Sequence, residues 1–121
     1  MYTWVDGNMF HGIVTLYSNN FTLNNVAAKH FEDIRWCCIG IDETNKKIAI
    51  KPITKREVDL GLVPMKQLNK VSLGKGYARI CNKNVIDRIS ILINQECSGI
   101  KFSSSFDEKE NMLIIDLNDP L

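Results

Sequence analysis

The chain has 121 residues, 45% of them hydrophobic and 24% charged, with a formal net charge of +1. That composition fits one globular domain and excludes a wholly disordered chain, and the near-neutral balance excludes a global basic field, so attraction to nucleic acid or a membrane surface requires a local patch. No run approaches the roughly 18 apolar residues of a membrane-crossing helix, and Met1 to Phe10 carries Asp6 without the basic start and apolar run of a secretion signal, so a soluble cytoplasmic protein is expected.

Tyr2, Trp4 and Phe10 lack interleaved basic residues, so they are expected to cover a barrel end or a subunit contact rather than to stack on bases. Gly12 to Tyr17 alternates apolar and polar residues as a half-buried strand does, and Ser18-Asn19-Asn20 is a turn cluster leading into a second strand, Phe21 to Leu23. Asn24 or Asn25 then caps a short helix carrying Val26, Ala27, His30 and Phe31 at helical spacing. His30 reads as a core-edge residue, and neither it nor His11 stands at a catalytic spacing from a serine or cysteine. Arg35 to Ile41 and Lys47 to Ile53 form a strand pair around the polar turn Asp42 to Lys46, with Ile48 and Ile50 facing in and Lys47, Ala49 and Lys51 facing out. Cys37 and Cys38 point to opposite faces of a strand, and Cys81 and Cys97 lie far off. Reduced cysteines acting as small apolar side chains are therefore expected, and no metal site.

Thr54 to Asn69 is too rich in Val58, Leu60, Leu62, Val63, Met65 and Leu68 for a free linker. It is expected to pack on the body as a helical turn, with Pro64 opening a second short turn. Lys70 to Leu73 is then a strand, Gly74-Lys75-Gly76 a turn, and Tyr77 to Ile80 a strand. Asn82 or Asn84 caps a helix whose Val85, Ile86, Ile89, Leu92 and Ile93 form one apolar stripe. Ile100 to Phe106 and Asn111 to Leu117 close the chain as a hairpin, and the two-sided apolar run Met112 to Ile115 predicts a more central strand than its counterpart.

The second series of elements repeats the first. Val14-Thr15-Leu16 matches Val71-Ser72-Leu73 at an offset of 57, which also aligns Leu23 with Ile80. Asp42-Glu43 matches Asp107-Glu108, and Ile48-Ala49-Ile50 matches Leu113-Ile114-Ile115, at an offset of 65. The expected fold is therefore mainly β with short helices, in the α+β class. It is a pseudo-twofold barrel from two strand-strand-helix-hairpin repeats, about 12–53 and about 70–117, joined by 54–69 into a single domain, 1–121.

Val71 to Lys83, running on into Val85-Ile86, resembles the strand, tight loop, Gly-Arg-Ile strand and helix start of the AbrB and MazE class of swapped-hairpin proteins. The residues that carry the resemblance are Lys75, Arg79, Ile80, Lys83 and Ile86. Ala78 stands where that class has glycine, and Asn82 stands near its proline. The class interleaves hairpins from two units in one barrel, and MraZ-like members hold both units in one chain; a double-psi-like barrel is the alternative with similar element order. The resemblance implies a non-enzymatic bacterial regulator, either a DNA-binding transcription factor or an antitoxin-like protein, that uses basic loops and no cofactor. Lys70, Lys75, Arg79, Lys83 and Arg88 are the candidate contacts to double-stranded DNA. Their first-half counterparts are mostly uncharged: Ser18 matches Lys75 and Thr22 matches Arg79, while Lys29 matches Arg88. The competing expectation is a protein-protein interaction module that has lost DNA binding and has a protein partner. A monomer or a homodimer fits either.

Gly74-Lys75-Gly76 lacks the spacing of a phosphate-binding loop and reads as a turn. The carboxylate pairs Asp42-Glu43 and Asp107-Glu108 sit in hairpin turns, where acidic residues serve local hydrogen bonding.

Overall fold

Alternating sequence in the first half becomes β1 (Gly12–Leu16) and β2 (Asn20–Leu23), followed by a single helical turn, α1 (Asn25–Ala28), in a computed structural model that describes residues 1–4 and 12–121. Phe10 and His11 lie outside the described residues. Asn24 is the cap: its Oδ1 accepts from the Ala27 N–H at 3.1 Å and from the Ile13 N–H at 3.0 Å, so one side chain starts the helix and pins it to β1. A 3-10 turn over Lys29–Phe31 buries Phe31 and leaves His30 exposed, stacked on Phe106 at 3.9 Å between ring centroids. The strand pair that follows is β3 (Trp36–Asp42) and β4 (Lys47–Ile53).

After α2 (Lys55–Asp59) and a 3-10 turn over Met65–Gln67, the chain forms β5 (Asn69–Gly74), β6 (Tyr77–Cys81), α3 (Lys83–Ile93), β7 (Ile100–Asp107) and β8 (Met112–Pro120). The eight strands close into one antiparallel barrel in the order β1-β2-β6-β5-β3-β4-β8-β7, with β7 returning to β1. Closure gives every one of these strands a neighbour on both sides, although β3 and β5 pair only at Trp36↔Lys70 and Cys37↔Asn69. It also removes the distinction between central and outer strands, so the expectation that Met112 to Ile115 would be more central than its counterpart does not hold. β4 and β8 pair with each other, and each has one further neighbour.

The pairing has a simple rule. The hairpin β1–β2 is flanked by β7 and β6, and the hairpin β3–β4 by β5 and β8. Every ladder between hairpins thus joins a strand before residue 54 to one after residue 68. Registers agree with the offsets read from sequence: Val14 opposes Leu23 as Val71 opposes Ile80, and Asp42 opposes Lys47 as Asp107 opposes Met112. The β3–β4 and β7–β8 turns match in detail. Lys46 and Asn111 each have positive φ, at 53° and 55°, and Asp42 and Asp107 each accept from the N–H three residues on.

Inward residues of all the strands meet in one core, including Val14, Leu16, Phe21, Leu23, Ile48, Ile50, Ile80, Phe102, Leu113 and Ile115. The α3 stripe packs against it. Ile86 and Ile89 are fully buried, each contributing about 1.5–3 kcal/mol, and Val85, Leu92 and Ile93 are half-buried. Cys37 faces the core and Cys38 the outside, as alternation requires. The connector forms both turns, with Pro64 at the start of the second, and packs only in part: Val58, Val63 and Leu68 are half-buried, while Leu60, Leu62 and Met65 are exposed. A capping box between Thr54 and Glu57 also holds α2 through local hydrogen bonds. Tyr2 and Trp4 do not cover a barrel end, being 85% and 89% exposed, which leaves the other expected role, a subunit contact.

Candidate functional site

The five basic candidates divide into two groups. Lys70, Lys75 and Arg79 belong to the β5–β6 hairpin, because Val71, Ala78 and Ile80 face the core and the alternate positions must face outward. Lys70 opposes the half-exposed Trp36 of β3, Lys75 lies in the turn, and Arg79 projects from the middle of β6. Lys83 and Arg88 lie on α3, each tied to a carboxylate. Lys83 Nζ is 2.8 Å from Asp87 Oδ2, and Arg88 Nη2 is 2.9 Å from Glu43 Oε1. Both pairs are solvated and add little to stability, but they reduce the charge each residue offers a phosphate.

Register adds a residue that sequence order hides. Across the outer face, Lys101 of β7 opposes Thr15 of β1, Thr15 opposes Thr22 of β2, Thr22 opposes Arg79 of β6, and Arg79 opposes Ser72 of β5. With neighbouring strands about 4.8 Å apart, this row sets Lys101 and Arg79 about 14 Å from each other, and of the two threonines between them Thr15 is buried and Thr22 donates its hydroxyl to Asn20 Oδ1 at 2.8 Å. Lys70 and Lys75 stand near opposite ends of the same hairpin. The only sequence signal for Lys101 is its place beside the apolar Ile100 and Phe102, which says outward but not beside which neighbour.

Arg79 is partly oriented. Its guanidinium carbon lies 5.5 Å from the Tyr77 ring centroid, and the Tyr77 ring lies across Gly74, where a Cβ would run into it. The turn between them uses Gly76 at φ 81°, a left-handed conformation that favours glycine. Among the described residues, Lys70, Lys75, Arg79 and Lys101 have no carboxylate within ion-pair distance.

The other chemical groups are committed locally. Asp42 accepts from the Asn45 side chain at 2.8 Å and from its N–H at 3.1 Å, and these bonds, the side-chain one first, hold its pKa below the ordinary value of 3.8. Glu43 is the partner of Arg88. Burial, and secondarily the neighbouring Cys38, push the Cys37 thiol up to about 12, so it stays protonated and unreactive. Cys38 is also raised, by burial first and then by the charge of Glu57, with Lys51 opposing. No group of three or more potential metal ligands occurs among the described residues, and none of their helices is long and apolar enough to cross a membrane. No known protein family, curated protein or solved structure matches this chain.

Proposed function

We propose that the chain is a non-enzymatic, internally duplicated swapped-hairpin barrel of the AbrB and MraZ kind, a bacterial-type regulator that binds duplex DNA on the outer face of the β5–β6 hairpin. The exclusive pairing of hairpins across the two halves supports the swapped-hairpin description over a double-psi one, since it is what interleaved units produce. The observation that carries the binding reading is the row in which Arg79 and Lys101 flank Thr15 and Thr22, with Lys70 and Lys75 at the hairpin ends. These are cations without carboxylate partners among the described residues, free to contact phosphate oxygens.

The neutral first half is compatible with this reading. Thr22, the counterpart of Arg79, is also its directly opposed neighbour, so the two equivalent positions share one spot on the surface. A second arginine there would place like charges face to face across a ladder, which destabilises a sheet. One charged residue at that spot serves both halves.

The test is titration of a labelled duplex followed by anisotropy at about 50 mM salt, where phosphate contacts are strong. Binding is expected, with log K falling as log salt rises. Lys75→Glu with Arg79→Glu should weaken it uniformly across sequences and flatten the salt slope by ~0.9 for each phosphate no longer neutralised, while Lys83→Gln and Arg88→Gln change little. Absence of binding to duplex at low salt overturns the proposal.

The exposed Leu60, Leu62 and Met65 favour a second reading, in which the barrel is a protein-interaction module and the connector is its contact surface. That reading expects partner binding that is insensitive to salt and is lost in Leu62→Ser with Met65→Ser.

A further inference from the structure

The two halves depart from each other most at one seam. Exchange of the halves turns the β1–β7 ladder into the β5–β3 ladder, and the first runs over five residue pairs from Gly12↔Ser104 to Leu16↔Ile100. The second keeps only Trp36↔Lys70 and Cys37↔Asn69, extended by a 2.8 Å bond from the Val71 N–H to the Arg35 carbonyl. It has also slipped by two residues. Val14 opposes Phe102, so Val71 should oppose Cys37, yet Asn69 does. Where backbone pairing stops, side-chain amides continue. Asn82 Nδ2 donates to Asn69 Oδ1 at 2.7 Å, and Asn69 Nδ2 donates to the Cys37 carbonyl at 3.4 Å and to the Gln67 carbonyl at 3.3 Å.

A cleft of about 490 Å³ lies over this seam, within the size range of small-molecule sites. Its floor is the outer face of β3 and β4, where Gly40 opposes Ala49 and their short side chains leave room; a Cβ on Gly40 would only touch the Ala49 Cβ at 3.9 Å. Asn69 and Asn82 line it, and Val85 and Met112 add apolar surface. Lys51 and Lys66 also line it, and no carboxylate residue does. Lys51 donates to the Glu110 carbonyl at 2.8 Å, a neutral acceptor, and forms no ion pair among the described residues. Glu57, whose charge acts on Cys38, is turned to its own capping box, where its Oε1 accepts from the Thr54 N–H and hydroxyl.

We propose that this cleft binds a small molecule carrying an anionic group, carboxylate or phosphate, on a flat apolar body. The anion lies between Lys51 and Lys66, and the body rests on Gly40 and Ala49. The site is on strands other than those of the nucleic-acid row and does not depend on that reading.

The test is a ¹⁵N NMR titration of the full chain with phenyl phosphate, with benzylamine as the cationic analogue. Saturable shifts are expected at the Ala49 amide and the Asn69 and Asn82 side-chain amides with phenyl phosphate only. Lys51→Gln with Lys66→Gln should raise Kd at least about tenfold, as loss of two charge-assisted contacts requires, while Lys109→Gln leaves it unchanged. Gly40→Val, which suits a strand and fills the floor, should abolish the shifts while the rest of the spectrum stays folded. Shifts that map elsewhere, appear equally with benzylamine, or survive Gly40→Val overturn the proposal. Sodium phosphate and sodium benzoate, titrated separately, distinguish a requirement for the anion alone from one for both parts.

Discussion

At the scale of single residues, the barrel interior sets chemistry that reagents and pH can read. Cys37 is held protonated, with its pKa raised from 9.0 to about 12 by burial. In the unfolded chain the thiol ionises near 9.0, so the stability it contributes is whole below pH 9 and is lost as pH rises toward 12, at no more than ~1.4 kcal/mol per pH unit. Urea unfolding between pH 8 and 11 should therefore show a decline that Cys37→Ala flattens, and the exposed Cys81 should be alkylated long before Cys37. A second sensitive point is Ser104, whose Oγ is buried without a hydrogen-bond partner among the described residues. Gly12 opposes it, and a Cβ there would stand 2.7 Å from that oxygen. Ser104→Ala should be neutral or stabilising by up to ~1 kcal/mol, because it removes an unsatisfied buried hydroxyl. Gly12→Ala should destabilise by ~1–3 kcal/mol through overpacking, and adding Ser104→Ala should recover part of the loss in denaturation midpoints.

At the scale of elements, caps and packing separate cleanly. Asn82 caps α3 by accepting from the Val85 N–H at 3.1 Å and also holds Asn69, while α3 buries Ile86 and Ile89. Asn82→Ala should therefore cost ~1–2 kcal/mol of global stability. Thr54→Ala removes an equally formed capping box from α2, which has no fully buried residue, and should leave global stability within ~0.5 kcal/mol while speeding amide exchange in residues 55–59. The same contrast explains what can be read from sequence. The α3 stripe and the strand alternation are legible because burial imposes periods of 3.6 and 2 on the residues that bear it. The connector is legible only in part, because its apolar residues all look like core residues, and only the fold reveals that Val58, Val63 and Leu68 are half-buried while Leu60, Leu62 and Met65 stay exposed.

At the scale of the whole molecule, each half supplies hairpins whose outer ladders are filled by the other half. Residues 1–61 and 62–121 made separately should not fold as monomers, since each hairpin would expose both ladders and its apolar face. Mixing them should restore the barrel, read by circular dichroism and by amide protection on β2 and β6, and independent folding of either piece would contradict this interdependence. In the intact chain, both halves are covalently present and every ladder closes without a second copy.

Local sequence alone determined the strands, the hairpin turns and the offsets of 57 and 65 between halves, and narrowed the caps to Asn24 or Asn25 and to Asn82 or Asn84, because each depends on neighbours along the chain or on a burial period. Only the tertiary structure decided which of the basic residues stand together. It set Arg79 beside Thr22 and in one row with Lys101, tied Arg88 to Glu43, and opened the β3–β5 seam into a cleft. The physical reason is register: which strands adjoin, and by how many residues they slip, is fixed by the closure of all eight strands around one shared core, and no single segment carries that information.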